Sequence, residues 1–185
     1  MPDHGKMSAN PRNSVPAFQI VCLSGTMLRL KSWLPDADRT TPVVLAGRQL
    51  QSEAGWVSHS PMHVLCVGPS EWLIVDFERD APGLREVSSR DLSQQGLVVT
   101  DLMDGLAAFE VCGPASREML AKGCGLDFHP RAFPAARCAR TRFAQVPVII
   151  ESLDDAERLR LYVTRSYSNY LSSWIVDAAA EYLDP

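Results

Sequence analysis

The alternation over residues 158–163 constrains the fold most. Leu159, Leu161 and Val163 fall on one side of this segment, and Arg158, Arg160 and Tyr162 on the other. A period of two belongs to an extended strand with two unlike faces. Two more strands precede it, Cys138 to Gln145 and Val148 to Glu151. From Tyr167 to Leu183 the period changes. Tyr170, Leu171, Trp174, Ile175, Ala178 and Ala179 recur at helical spacing, which predicts a C-terminal helix with that stripe turned inward.

Upstream, Pro114 and Gly123 punctuate a second helix. Proline suits a first helical position, and glycine a left-handed stop. The predicted helix runs from Pro114 to Lys122 with Met119 and Leu120 buried. Before it, Leu97 to Leu102 and Leu106 to Cys112 read as a hairpin about Asp104-Gly105, a dipeptide suited to tight reversal. Met62 to Val67 and Trp72 to Val75 form another hairpin across Gly68-Pro69-Ser70-Glu71. Residues 82–95 read as a helix with Leu84, Val87 and Leu92 inward. Phe18 to Leu23 is a strand that Met27 to Trp33 continues after a turn at Ser24-Gly25. Residues 35–61 give only one short element, near Val43 to Ala46. Residues 1–17 are polar with three prolines and read as a flexible tail. Residues 18–185 then form one domain or a pair of tightly fused half-domains. The order of strands and helices predicts an α+β fold, with antiparallel sheets covered by helices.

Charge narrows the function. Twenty-two acids against 18 bases leave a net charge of −4, which gives no basis for a nucleic-acid surface. Cys22, Cys66, Cys112, Cys124 and Cys138 are odd in number and widely spaced, unlike a secreted disulfide framework. The compartment implied is reducing cytoplasm. No signal peptide is expected at the start, and no stretch reaches the roughly 20 apolar residues of a membrane span.

The search for chemistry returns little. His59 and His63 are four apart but straddle Pro61, so they cannot form a zinc pair on one helical face. Cys124, His129 and Cys138 are too dispersed for a structural zinc site. Asp101, Asp104, Asp154 and Asp155 lie at turns, where Asp bonds the local backbone. The chain lacks a P-loop, a dinucleotide fingerprint and a nucleophile elbow. No catalytic, cofactor-binding or metal-ligating residue is therefore assigned. One feature stands out: no acid falls between Asp127 and Glu151, whereas Arg131, Arg137, Arg140 and Arg142 do. In strand alternation Arg140 and Arg142 share a face with Cys138. That face is either solvated or a docking surface for an acidic partner; on the second reading Arg131, Arg140 and Arg142 form the partner interface.

The segment Gly113-Pro114-Ala115-Ser116-Arg117-Glu118-Met119-Leu120-Ala121-Lys122-Gly123-Cys124-Gly125-Leu126-Asp127-Phe128-His129-Pro130-Arg131-Ala132-Phe133 resembles the signature of the sarcosine oxidase gamma subunit family. Arg137-Cys138-Ala139-Arg140-Thr141, Val146-Pro147-Val148, Gly68-Pro69-Ser70-Glu71-Trp72-Leu73 and Thr100-Asp101-Leu102 continue the match, which covers residues 62 to 182. Phe128 replaces the family's leucine, Ala136 its glycine, and Met103-Asp104 its serine-histidine. The resemblance implies a fold like the folate-binding domain of aminomethyltransferases such as the glycine-cleavage T-protein. It also implies a non-catalytic gamma subunit of a heterotetramer that demethylates sarcosine to glycine with folate as one-carbon acceptor. Its partners would be alpha, beta and delta subunits holding FAD, FMN, NAD and tetrahydrofolate. Two alternatives stay open. One is the equivalent subunit of N-methylglutamate dehydrogenase, the other a free-standing tetrahydrofolate-binding domain.

Overall fold

A computed structural model describes residues 16–33, 42–45, 47–59, 63–77, 89–154 and 157–182. In chain order the strands are β1 Gln19–Leu23, β2 Thr26–Ser32, β3 Val44–Leu45, β4 Arg48–Gln49, β5 Val57–Ser58 and β6 His63–Gly68. There follow β7 Glu71–Asp76, β8 Leu97–Asp101, β9 Leu106–Cys112, β10 Arg137–Phe143, β11 Val146–Ser152 and β12 Leu159–Thr164. The helices are α1 Ser89–Gln94, α2 Ser116–Ala121 and α3 Ser168–Ala178, the last flanked by 3-10 turns at Arg165–Tyr167 and Ala180–Tyr182.

Two five-stranded sheets, ordered β1-β9-β12-β11-β10 and β5-β6-β7-β2-β8, stack face to face, with β3-β4 as a small separate ribbon. Every pairing among the described strands is antiparallel. Period-two alternation distributes each strand between two cores. On β12, Leu159, Leu161 and Val163 enter the core beneath α2 and α3, where Met119, Leu120, Leu171 and Ile175 meet them. Tyr162 points the other way, into the layer between the sheets with Leu65, Leu73 and Val75. A third core, with Trp72, Ile74, Leu92 and Leu97, lies on the outer face of the second sheet. This is the expected α+β class.

The structure corrects several local expectations. The predicted hairpin about Asp104-Gly105 is a crossover: β8 pairs with β2, whereas β9 sits between β1 and β12. The backbone N–H groups of Gly105 and Leu106 both donate to the carbonyl of Leu102, at 3.0 and 2.9 Å. That helical-type reversal swings the chain out of one sheet and into the other. Likewise β2 does not continue β1; they belong to opposite sheets. The strand predicted through Gln145 stops at Phe143, because Ala144 and Gln145 both take positive φ, 47° and 70°. Consecutive left-handed residues make the mirror-image turn whose twist suits a two-residue hairpin.

The helices are shorter than predicted. α2 begins at Ser116 rather than Pro114. The C-terminal helix is divided by its 3-10 ends, and Tyr170, expected inside, is exposed; Leu171, Ile175 and Ala179 carry the burial. Of the helix predicted over 82–95, Ser89–Gln94 is present and Leu92 is buried. Leu84 and Val87 lie outside the described residues. So do residues 1–15 of the predicted tail, although the carbonyl of Ala17 accepts the N–H of Ala115 at 3.0 Å. Between 35 and 61, β4 and β5 join the one element foreseen.

Gly123 follows α2 for a different reason from the one expected. Its φ is not left-handed; a Cβ there would lie 2.7 Å from the Trp174 ring and 3.0 Å from that of Phe143. Those rings meet edge to face at 5.0 Å and wedge α3 against β10. Gly123→Ala should therefore lower folding stability by about 2 kcal/mol, the usual cost of overpacking. A urea midpoint unchanged from wild type would show that the rings yield freely.

Candidate functional site

The alternation that buries Leu159, Leu161 and Val163 carries Arg160 and Tyr162 into the layer between the sheets. On the neighbouring strand Glu151 has the same orientation and stands directly opposite Arg160. Across β9 the next residue in the row is Glu110, also opposite Arg160. One transverse row thus reads Glu151, Arg160, Glu110, opposite charges adjacent on three strands. The facing sheet supplies His63 at the head of β6 and His59 just beyond β5.

Glu151 is fully buried. The Tyr162 hydroxyl donates to its Oε2 at 2.7 Å. His59 Nε2 lies 3.1 Å from Oε1, and His63 Nε2 bonds the same oxygen. Arg160 donates through Nε to Glu110 at 2.8 Å, rests its guanidinium 5.0 Å over the Phe77 ring, and places Nη1 3.3 Å from His63 Nδ1. A guanidinium has only donors, so Nδ1 of His63 is the acceptor and its proton sits on Nε2, aimed at Glu151. The two histidine rings meet edge to face at 4.6 Å.

Burial alone would raise the Glu151 pKa, but the hydrogen bonds it accepts from His59, His63 and the Tyr162 hydroxyl outweigh that and hold it down at about 2. Burial, then the adjacent carboxylate, pushes Tyr162 well above the usual phenol range, so it remains a donor. Cys138, in the same layer, is driven to about 12 by burial and then by Glu151. A thiol so placed is an inert core residue.

The ligating atoms of His59, His63 and Glu151 lie within 4.8 Å of one another, close enough for a metal ion to bridge. Arg160 opposes that use. Ligation through Nε2 would move the His63 proton to Nδ1, where it would face a guanidinium instead of the acceptor that metal-bound histidines normally find. The chemistry available to this group is charge pairing and hydrogen bonding between two sheets. Sequence reasoning correctly kept His59 and His63 off one helical face, but missed that a carboxylate 88 residues from His63 joins them. The available signal was register: pairing the last two strands places Glu151 opposite Arg160.

The other sequence candidates scatter. Cys124 contacts Thr141 Oγ1 at 3.6 Å, His129 is exposed, and Cys138 is between the sheets, so they form no cluster. Asp101 accepts the Met103 N–H at 2.8 Å, and Asp154 pairs with Arg158 at 2.6 Å, both local turn roles. Asp155 lies outside the described residues. Arg131, Arg140 and Arg142 are all exposed. Arg142 bonds the carbonyl of Gln145 in its own hairpin turn at 3.0 Å. Arg140 crosses to the other sheet and pairs with Glu71 at 2.7 Å. Arg131 belongs to a loop whose Phe128 and Phe133 are sunk in the helix-side core.

That loop is held by Arg117. From α2 its Nη1 donates to the carbonyls of Phe128 at 2.7 Å and Phe133 at 3.0 Å, and its Nη2 to Ser152 Oγ at 3.1 Å. Asp127 closes the turn by accepting the His129 N–H at 2.9 Å. Gly113, which opens the segment, has φ 113°, and a Cβ there would lie 2.6 Å from the Ala17 carbonyl. Ala136 takes φ 57°, so the turn before β10 keeps its left-handed geometry without glycine.

Comparison with known proteins identifies the family and the shared fold. The model of the "Sarcosine oxidase, gamma subunit family" matches residues 47–181. The chain belongs to the sarcosine oxidase gamma subunit family. Among gamma-family relatives, sarcosine oxidase subunit gamma of Corynebacterium sp. (strain U-96) is 30% identical over 119 residues, covering 64% of this chain and 57% of the relative. That of Arthrobacter sp. is 31% identical over 124 residues, covering 66% and 59%. The matched stretch is thus under two thirds of those relatives' length. The fold is shared with a chain of the heterotetrameric sarcosine oxidase from Corynebacterium sp. U-96 in complex with pyrrole 2-carboxylate. There the TM-score is 0.74 at 24% identity, over 91% of this chain and 86% of that one. More distantly it is shared with the glycine cleavage system aminomethyltransferase T from Bartonella henselae, with TM-score 0.52 at 10% identity, over 87% and 46%. Among the described residues no helix is long and apolar enough to cross a membrane.

Proposed function

We propose that this gamma-family chain is a non-catalytic subunit of a sarcosine oxidase-type heterotetramer. It supports the assembly while alpha, beta and delta subunits hold FAD, FMN, NAD and tetrahydrofolate. The complex works in the cytoplasm, and Arg131, Arg140 and Arg142 contribute to the partner interface. The observation that carries the reading is the gamma-family match over residues 47–181, joined by the fold shared with a chain of a heterotetrameric sarcosine oxidase; the saturation of Glu151 supports its non-catalytic part. Both its oxygens are engaged by His59, His63 and Tyr162, and its low pKa makes it a poor proton donor or acceptor near neutrality. The same bonds weigh against a metal at this position.

The test is co-purification of tagged chain from its host, reading subunit masses, flavin absorbance and turnover. A yellow complex of two larger subunits and one smaller one that oxidises sarcosine is the expected result. Turnover of N-methylglutamate in place of sarcosine would reassign the substrate. A colourless single chain that binds tetrahydrofolate would replace the assembly reading with a free-standing folate-binding domain, the reading that the likeness to aminomethyltransferase T favours.

A further inference from the structure

We propose that Arg29, Lys31 and Arg140, gathered around Glu71 at the rim between the sheets, form a docking site for an acidic segment of a partner subunit. This rests on the assembly reading and adds to it the surface and the partner's chemistry.

Strand geometry makes the cluster. Lys31 stands opposite Glu71 across β2 and β7, and Arg29 is two residues along the same face of β2. Lys31 Nζ lies 4.0 Å from Glu71, and Arg140 reaches the same carboxylate at 2.7 Å from the other sheet. All three cations act on Glu71 electrostatically. Among the described residues, one carboxylate against three cations leaves two positive charges over. The surplus is exposed where a partner could meet it. The Lys31 side chain is 60% accessible and that of Arg140 49%, whereas Glu71 is 11%.

A carboxylate answers that surplus, because it accepts several hydrogen bonds and neutralises charge. The surroundings also suit a protein partner. Val98, opposite Lys31 on the edge strand β8, is 52% exposed, and Trp33, just beyond Lys31, is 66% exposed. Tryptophan and arginine together are typical of interface anchors.

The experiment measures association of the wild-type chain with its co-expressed partner subunits, beside Lys31→Glu and the milder Arg140→Gln. Lys31→Glu is expected to weaken association at least about tenfold in low salt, with Arg140→Gln acting in the same direction. Wild-type affinity should fall several-fold between roughly 50 and 500 mM NaCl, over which exposed charges become screened. Lys31→Glu sets a second carboxylate opposite Glu71, so the isolated chain should melt modestly below wild type yet stay folded at the binding temperature. If both variants and the salt series remain within about twofold of wild type, the docking site is wrong. If the variants instead melt early in isolation and bind normally once folded, the cations serve the fold and the proposal also fails. A wild-type chain that never joins partners removes the assembly reading itself and this inference with it.

Discussion

Glu151→Ala should lower folding stability by about 3–5 kcal/mol, the scale seen when one partner of a buried charged pair is removed. The reason lies in what is left behind. Tyr162, His63 and His59 each lose the acceptor for a donor group, and Arg160 loses the charge facing it across β11 and β12. Each buried donor left unmet costs about 1–3 kcal/mol. Losses at the half-exposed His59 are offset by water, which keeps the total within that range. Equilibrium urea denaturation measures the change.

The same residue sets an acid limb. Its folded pKa of about 2 lies below the ordinary 4.5, so the folded state favours its ionised form. The stabilisation is fully present above pH 4.5 and is lost as pH falls toward 2, to a total of about 3 kcal/mol. Glu151→Gln, which cannot titrate, should be less stable at pH 7 and should flatten that limb. Superimposable acid limbs for wild type and Glu151→Gln would rule the network out as the source.

Arg117→Met should cost about 3 kcal/mol and loosen the Asp127–Phe133 loop. Methionine fills much of the same volume, so the loss isolates the hydrogen bonds. Removing a buried cation recovers some desolvation free energy, an effect that can favour apolar replacements. Here the loss is larger, because the carbonyls of Phe128 and Phe133 and the Ser152 hydroxyl all lose their donor, at about 1–3 kcal/mol for each buried group. Lysine should rescue little, since a single ammonium cannot reproduce a planar fork that spans two carbonyls and a hydroxyl. Hydrogen exchange gives a local readout. The Ala132 and Phe133 amides, both bonded to the His129 carbonyl, should lose protection before the sheet does. Unaltered exchange at those two amides would show that the loop stands without Arg117.

The two predictions involve residues that sequence reading treated very differently. Arg117 lies inside the segment that carries the family resemblance, yet its helical position gives no hint that it caps a loop 11 residues away. Glu151 closes a predicted strand and attracted no attention, because a strand-end glutamate is ordinarily solvated. Its meaning depends on His63, and nothing local links them.

What the sequence determined by itself was period and punctuation. Apolar runs about a turn marked β6 and β7, alternation marked β10 and β12, and helical spacing marked α3, because each signal is generated within a few residues along the chain. The family likewise followed from contiguous residues. Only the tertiary structure decided which strands share a sheet and what covers each face. Asp104-Gly105 could close a hairpin or launch a crossover, and the choice fell to distant partners, β2 for one strand and β1 with β12 for the other. Arg160 and Tyr162 have the pattern of a solvated face, but the second sheet covers it, and burial converts three ordinary polar residues into a coupled network. Alternation specifies that a strand has two faces; only packing specifies whether the polar one meets water or another sheet.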